Sequence, residues 1–398
     1  MATAGGPLAG VTVLDLTRVL SGPYCTMFLG DMGARVIKVE HPRRGDDTRA
    51  WGPPFVKGES AYFLGTNRNK ESLTLDFKEP RGRRVFERLV DGADILVENF
   101  RPGTMGRAGL GYDALALRWP RLIYTSISGF GQTGPRRHQP GYDAVIQAEG
   151  GLMSITGAAD GPPFRLGVAI ADMVAGLLAA QGILLALLAR DRTGRGQHVD
   201  ISMLDGVVSL LTYHASMHLV AKTVSPRVGN GHATIAPYDT FAAADGDFFL
   251  AVGNDEQFKR FCSAAGLPDL PNDPRFATNP ARVEHREALA ARLDPVLRTR
   301  PRGEWIPLLT ESGVPCGDVR AVAETLADKQ LLARQMIESV EHATIGVMKV
   351  LGVPIKLSDT PGSVRTAPPT LGQHTTAVLT ELGLDASEID DLRRARVI

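Results

Sequence analysis

Val11-Thr-Val-Leu-Asp-Leu16, the segment from Tyr24 to Met32, and Arg35-Val-Ile-Lys-Val39 together decide the fold. The two outer runs, dense in Val, Ile and Leu, read as strands. The middle segment reads as a helix, with Ser21-Gly22-Pro23 and Gly33 as breaks. Strand, helix and strand in close succession form a βαβ unit, because the helix carries the chain back so that both strands run the same way. The pattern repeats: Ile95-Leu-Val97 follows a helical segment from Pro80 to Val90, and Leu122-Ile-Tyr-Thr-Ser-Ile127 follows one from Tyr112 to Arg118. The expected class is therefore α/β with a largely parallel sheet.

Downstream of Asp172 the sequence turns helical, from Met173 to Arg190 and from Leu204 to Ala221. Around Ser225-Pro226 it changes character again, through Gly229-Asn-Gly-His232 and Pro237 to short strand-like pieces such as Asp247-Phe-Phe-Leu-Ala-Val252. The predicted organisation is a large domain over 1–200, a linker helix over 201–225, a smaller α+β domain over 226–325, and a return to the large domain over 326–398. A helix from Val322 to Ser339 leads out of the smaller domain, followed by a strand over Val347–Leu351, a proline-rich passage, and a charged helix from Ala386 to Arg396.

The chain has 398 residues, 43% of them hydrophobic, with 44 basic and 44 acidic side chains. That apolar share is incompatible with a disordered chain, and the balanced charge argues against a general binder of nucleic acid or anionic membrane. Cys25, Cys262 and Cys316 are too few and too far apart for a disulfide framework or a zinc site. No secretory signal is evident at the N-terminus, and the apolar run Met173–Ala189 reads as a buried core helix just short of a membrane span. The expected setting is cytoplasmic.

Ligands of open parallel sheets bind beyond the carboxyl ends of the strands, which directs attention to Arg18–Ser21, Glu40-His41, Asn99-Phe-Arg101 and Ser128–Gly134. Arginine and asparagine in such loops are often merely solvated. Gly129-Phe-Gly131-Gln-Thr-Gly134 matches G-x-G-x-x-G, but Pro135 and Pro140 break the place where a helix must start, so a flexible ligand-covering loop fits better than a dinucleotide site. His214 and His218 stand one helical turn apart with no third ligand in view, which favours two packed histidines over a metal pair. Asp172 immediately precedes the apolar helix. There it serves either as an N-cap or as a nucleophile kept ionised by the helix terminus, and spacing alone does not separate the two.

Eight segments in order resemble the class III coenzyme A transferases, the group of formyl-CoA transferase, carnitine CoA-transferase and succinate–hydroxymethylglutarate CoA-transferase. They are Leu8–Arg18, Leu29–Glu40, Asn69–Asp76, Val97–Gly103, Ser126–Pro135, Thr193–Gln197, Gly313–Gly317 and Leu371–Thr375. The resemblance spans nearly the whole chain. It implies a Rossmann-like large domain with a smaller domain inserted in it, and two such chains interlocked as a homodimer. It places the nucleophilic aspartate at Asp172 and the contacts to coenzyme A at Leu75, Lys78, Asn99, Phe100, Arg101, Arg107, Tyr142 and Asp143, with Arg18 and His41 at positions where the family varies.

Coenzyme A enters as substrate and product, with no resident cofactor and no metal; the partners are an acyl-CoA, a carboxylic acid and a second copy of the chain. Asp172 attacks the thioester, and aspartyl anhydride and aspartyl-CoA intermediates follow without ATP. Backbone N–H groups of the Gly129–Gly134 loop are expected to stabilise the oxyanions. Leu20 stands where formyl-CoA transferase has Gln, which argues against formyl or oxalyl substrates. Arg227, Asn230, His232 and Tyr238 resemble members acting on dicarboxylates such as succinate, with Gly131 and Gly231 as further substrate positions.

The same family includes α-methylacyl-CoA racemases, whose catalytic His aligns with Tyr142. A phenol with a pKa near 10 shuttles protons poorly at neutral pH, which favours transfer over racemisation. A non-catalytic nucleotide-binding protein, with Asp172 a mere cap, is the remaining alternative.

Overall fold

Thr12–Asp15 (β1) lies parallel to Arg35–Glu40 (β2), with Leu14 opposite Ile37, and Ser21–Asp31 (α1) carries the chain between them. The structure, a computed structural model, describes residues 5–398. Lys70–Thr74 (β3) flanks β2. On the other side of β1 come Ile95–Glu98 (β4), Ile123–Ser128 (β5) and His198–Ser202 (β6). The order is β3-β2-β1-β4-β5-β6 and every pair is parallel. This is the doubly wound order of nucleotide-binding sheets, with its reversal between β1 and β4, and a crevice is expected at the carboxyl ends of those strands.

One face of the sheet is apolar. Leu14, Leu16, Ile37, Val39 and Leu73 pack under Pro80–Asp91 (α2), Tyr112–Arg118 (α3) and the C-terminal helices Thr375–Glu381 and Ala386–Arg394. α2 forms there because Glu79 caps the N–H groups of Arg81 and Gly82, Pro80 sits in the first turn, and Val85, Phe86, Leu89 and Val90 fall on one side. The other face carries α1 and Ile170–Thr193 (α5), with Asp143–Glu149 (α4) before and Met203–Ser209 (α6) after. The α1–α5 approach depends on small residues: a Cβ on Gly176 would lie 2.5 Å from the Ser21 carbonyl oxygen.

Beneath α1 the sheet is polar. Asp15, Lys38 and Lys70 have fully buried side chains. Lys70 donates to Asp15 Oδ2 at 3.1 Å and to the Pro23 carbonyl at 2.9 Å. Lys38 donates to the Thr17 carbonyl at 2.8 Å and pairs with Asp46 at 2.9 Å. Burial opposes ionisation of Asp15, but Lys70 and Lys38 hold its carboxyl well below the usual range; burial brings Lys70 down to about 8 against the pull of Asp15.

The chain divides into two compact units, one made of residues up to Gly150 with Gly167–Leu210 and Lys329–Ile398, the other of Gly151–Leu166 and Leu211–Asp328. In the second unit, Tyr238–Ala242, Asp247–Ala251 and Cys316–Asp318 form an antiparallel sheet with the middle segment central. Its core joins Phe248, Phe258, Phe261, Phe276 and Trp305 to leucines of the helix Arg286–Leu297.

Several expectations need correction. Residues 201–225 are not one linker helix: 201–210 complete β6 and form all of α6 in the first unit, whereas 211–225 belong to the second with a separate helix, Thr212–Leu219. Residues 151–166 also fall in the second unit, where the Gly229 N–H and the Arg227 guanidinium bond the Gly157 and Gly161 carbonyls. The stretch read as a helix from Val322 to Ser339 is two short helices, Val322–Leu326 and Lys329–Ala333, followed by Ile337–His342, which pairs antiparallel with Gly346–Leu351. α5 runs to 24 residues and is long and apolar enough to cross a membrane. It is a core helix on one side only: Ala175, Ala179, Ala180 and Ile183 are buried, whereas Leu185 and Leu188 are 66% and 63% exposed.

Candidate active site

Two clefts open at the carboxyl ends of the strands, where the order reverses. The outer one, about 390 Å³, is lined by Arg18, His41, Leu75, Lys78, Phe100 and Arg101, all positions predicted to hold coenzyme A. The inner one shares Arg18, Phe100 and Arg101 and adds Asn99, Tyr142 and Asp172. The loop after β1 shapes both. Val19 has φ +70, a costly conformation for a β-branched residue, and it is held on both sides. Asp46 Oδ1 accepts its N–H at 3.2 Å, while Asn99 accepts the Arg18 N–H at 2.9 Å and donates to the Arg18 carbonyl at 2.7 Å. Asn99 therefore locks one strand-end loop to the next. The Arg18 guanidinium lies 5.2 Å from the centre of the Phe100 ring.

Asp172 is the third residue of α5, not its cap; the N-cap position is Ala169, which offers no side-chain hydrogen bond. The expectation that the helix terminus keeps this carboxylate readily ionised also needs correction. Burial, and then the neighbouring charge of Asp143, push the Asp172 carboxyl up to about 6, against hydrogen bonds from the Ser21 hydroxyl and backbone N–H at the start of α1. Asp143 meanwhile accepts the Ala171 N–H at 2.9 Å and the Gln147 amide at 2.8 Å. It acts on the start of α5 and on Asp172 and lines neither cleft, contrary to its expected place against coenzyme A.

Tyr62 was missed by reading the sequence, and Ser21 stood there only as the end of a strand-end loop, with no link to Asp172. Burial raises the Tyr62 phenol, and the charges of Asp172 and Asp143 raise it further, so the ring stands within electrostatic reach of both carboxylates, edge-on to Trp51. No motif marks either residue.

Other predicted positions are not gathered here. Arg107 is exposed and bonds Thr104 Oγ1 at 3.3 Å, lining neither cleft. Of the glycine loop only Gly129 lines the inner cleft. Gly131 lies against Asp200, and the Gln132 N–H is already engaged by both oxygens of that carboxylate, at 3.1 and 3.0 Å. The loop is thus tied to β6 at Gln132, whose N–H is spent on Asp200. Gly129 crosses Gly141 so closely that a Cβ on either would lie 2.7 Å from the other's Cα, which is how Tyr142 reaches the rim, 70% exposed.

Gly231, His232 and Tyr238 belong to the second unit, where His232 stacks on Tyr213 and meets Tyr238 edge-on. His218 is exposed and not packed as expected. Among the described residues no three His, Cys, Asp or Glu side chains gather as a metal ion would require.

A doubly wound sheet whose strand ends open into two adjoining clefts, one holding Arg18, Lys78 and Arg101 and the other the half-buried Asp172 carboxylate, has the form of a protein that acts on a ligand at its switch point. The chain belongs to CoA-transferase family III, whose model matches residues 8–375, and it is an enzyme of that class. It is 42% identical over 393 residues to the succinyl-CoA:glutarate CoA-transferase of Mus musculus, covering 98% of this chain and 90% of that one. It is 45% identical to the acetyl-CoA:oxalate CoA-transferase of Acetobacter aceti over 89% of this chain and 90% of that one. A crystal structure of a CAIB/BAIF family protein from Brucella suis matches with TM-score 0.85 and 42% identity, over 95% of this chain and all of that one.

Proposed function

We propose that the enzyme moves coenzyme A from succinyl-CoA to a dicarboxylic acid through covalent intermediates on Asp172. One observation carries this reading: the Asp172 carboxylate, held by Ser21, lines the inner cleft, which shares Arg18, Phe100 and Arg101 with the outer one. An Asp172 oxygen attacks the thioester carbonyl and the C–S bond breaks, giving an aspartyl acyl anhydride and CoA thiolate. The thiolate attacks the aspartyl carbonyl, releasing the first acid as its carboxylate and leaving an aspartyl-CoA thioester. The acceptor carboxylate attacks that thioester, expelling the thiolate, which then takes the acceptor's acyl group and frees Asp172. The outer cleft's Arg18, Lys78 and Arg101 suit the phosphates of coenzyme A.

Relatives named for succinyl-CoA with glutarate, D-citramalate and mesaconate support the dicarboxylate assignment. Among the described residues no histidine lines the inner cleft, which favours transfer over racemisation. The test is succinyl-CoA or acetyl-CoA offered with a panel of acids, oxalate included. Transfer to dicarboxylates is expected, together with a hydroxylamine-sensitive CoA-sized adduct on the Asp172 peptide; exchange of the α-hydrogen of a 2-methylacyl-CoA with no transfer to any acid would refute it.

The exposed leucines of α5 and the hairpin 337–351 fit a face covered by a second copy. A homodimer is expected, and light scattering showing one active chain per particle at micromolar concentration would rule it out.

A further inference from the structure

The Ser128 hydroxyl is buried, with the residue 8% exposed, yet it has no hydrogen-bond partner among the described residues. Such a group costs the fold stability and calls for an explanation. Ser128 ends β5 and lines the inner cleft. Its register partner Ser202 is otherwise engaged, accepting the Asp205 N–H at 3.1 Å.

The side of the sheet from which Ser128 reaches the cleft narrows its role. Gly182 of α5 lies against Val199 and Ile201, whose register partners are Thr125 and Ile127. Side chains alternate along a strand, so Ser126 and Ser128 occupy the opposite face. Ser126 agrees: its hydroxyl meets His198 Nε2 at 3.0 Å, and that ring stacks on Tyr112 of α3. Ser128 therefore borders the cleft from the face away from the helix that carries Asp172. That face suits it to a polar group passing the strand ends rather than to the carbon under attack.

We infer that the Ser128 hydroxyl is a substrate-binding group that hydrogen-bonds an amide of the pantetheine arm of coenzyme A as it passes from the outer to the inner cleft. This rests on the coenzyme A reading of the clefts, and the arm is the part of the substrate that carries amides between its phosphates and its sulfur. The hydroxyl's lack of a protein partner is then what leaves it free for the ligand.

The experiment is calorimetric binding of free coenzyme A to the full chain, which requires no turnover, followed by steady-state kinetics with succinyl-CoA and an acceptor acid. Ser128→Ala removes only an unsatisfied hydroxyl, so its melting temperature is expected to equal or exceed that of the wild type. Its Kd for coenzyme A and its KM for succinyl-CoA are expected to rise about tenfold, with the KM for the acid unchanged and Ser128→Thr close to wild type. An unaltered Kd for coenzyme A, a rise confined to the KM of the acid, or a lowered melting temperature in Ser128→Ala would each overturn the inference. A wild-type enzyme that binds coenzyme A but transfers it to no acid would sink the proposed function while leaving the binding comparison intact.

Discussion

Asp172→Asn is expected to lose at least about 1,000-fold in kcat while becoming more stable at neutral pH. The activity loss follows if the carboxylate is the nucleophile, because an amide oxygen neither attacks a thioester usefully nor leaves a hydrolysable thioester behind. The stability gain follows from the environment of Asp172, whose carboxyl is raised from 3.8 to about 6 by burial and by Asp143. The folded protein holds that proton more tightly than the unfolded chain, so ionisation costs stability. The cost is absent below the unfolded value, grows as pH rises through the window from 3.8 to about 6, and is full above it. Removing the charge is expected to restore on the order of 2 kcal/mol at pH 7 and nothing at pH 3. Thermal unfolding of both proteins at the two pH values measures this, and a variant that is active, or less stable at pH 7, contradicts it. Wild-type kcat/KM is correspondingly expected to fall on the acid side with a midpoint near 6. Asp143→Asn, which keeps an acceptor for the Ala171 N–H but removes the neighbouring charge, is expected to move that midpoint to lower pH.

Lys38→Met is expected to be the most destabilising single substitution considered, by about 3–5 kcal/mol. Burial alone would push the Lys38 ammonium down, but Asp46, Asp15 and Glu40 together keep it above its ordinary value. Methionine fills a similar space but leaves the buried Asp46 carboxylate without its counter-charge and the Thr17 carbonyl without its donor. The damage extends to chemistry, because the same Asp46 holds the Val19 N–H and with it the strained turn between the two clefts. Denaturant unfolding read beside KM for the CoA thioester tests both parts. A loss below about 1 kcal/mol would show that the cluster is not the support described. Lys38→Met combined with Asp46→Leu removes both charges and is expected to recover much of the stability but not the Val19 anchor.

The strands legible in the sequence were those made of Val, Ile and Leu: β1, β2, β4 and β5. β3 and β6 escaped notice because Lys70, Ser72, His198 and Asp200 carry polar side chains where hydropathy alone does not announce a strand; Lys70 and Ser72 are buried by partners far away in sequence, and Asp200 stays exposed. Helix was predicted through Ser339 because the turn that ends it, with Gln335 at φ +54, contains neither Gly nor Pro. Asp172 was picked out by family resemblance, since its spacing fits a cap equally well; Ser21, Tyr62 and Asp143 became its neighbours only once α1, the 61–64 segment and α4 had been placed around it. Membership of 151–166 in the second unit was likewise invisible, being decided by bonds to residues beyond 226.

β3, at the edge of the sheet, is finished by the end of the chain. His374 Nδ1 accepts the Ser72 N–H at 3.1 Å, Thr375 Oγ1 accepts the Thr74 N–H at 3.0 Å, and the Val397 carbonyl accepts that of Asp76 at 2.7 Å. Arg49, in the same early part of the chain, reaches the Pro369 carbonyl, 320 residues onward. During synthesis these donors emerge early and wait for acceptors made last, leaving an open strand edge prone to pairing with other chains. The closure entropy of so long a loop falls due at that final step, which makes completion of the large unit a late and slow event in folding. A ribosome stalled shortly before residue 370 would therefore release not a slightly shortened enzyme but a sheet with one raw side.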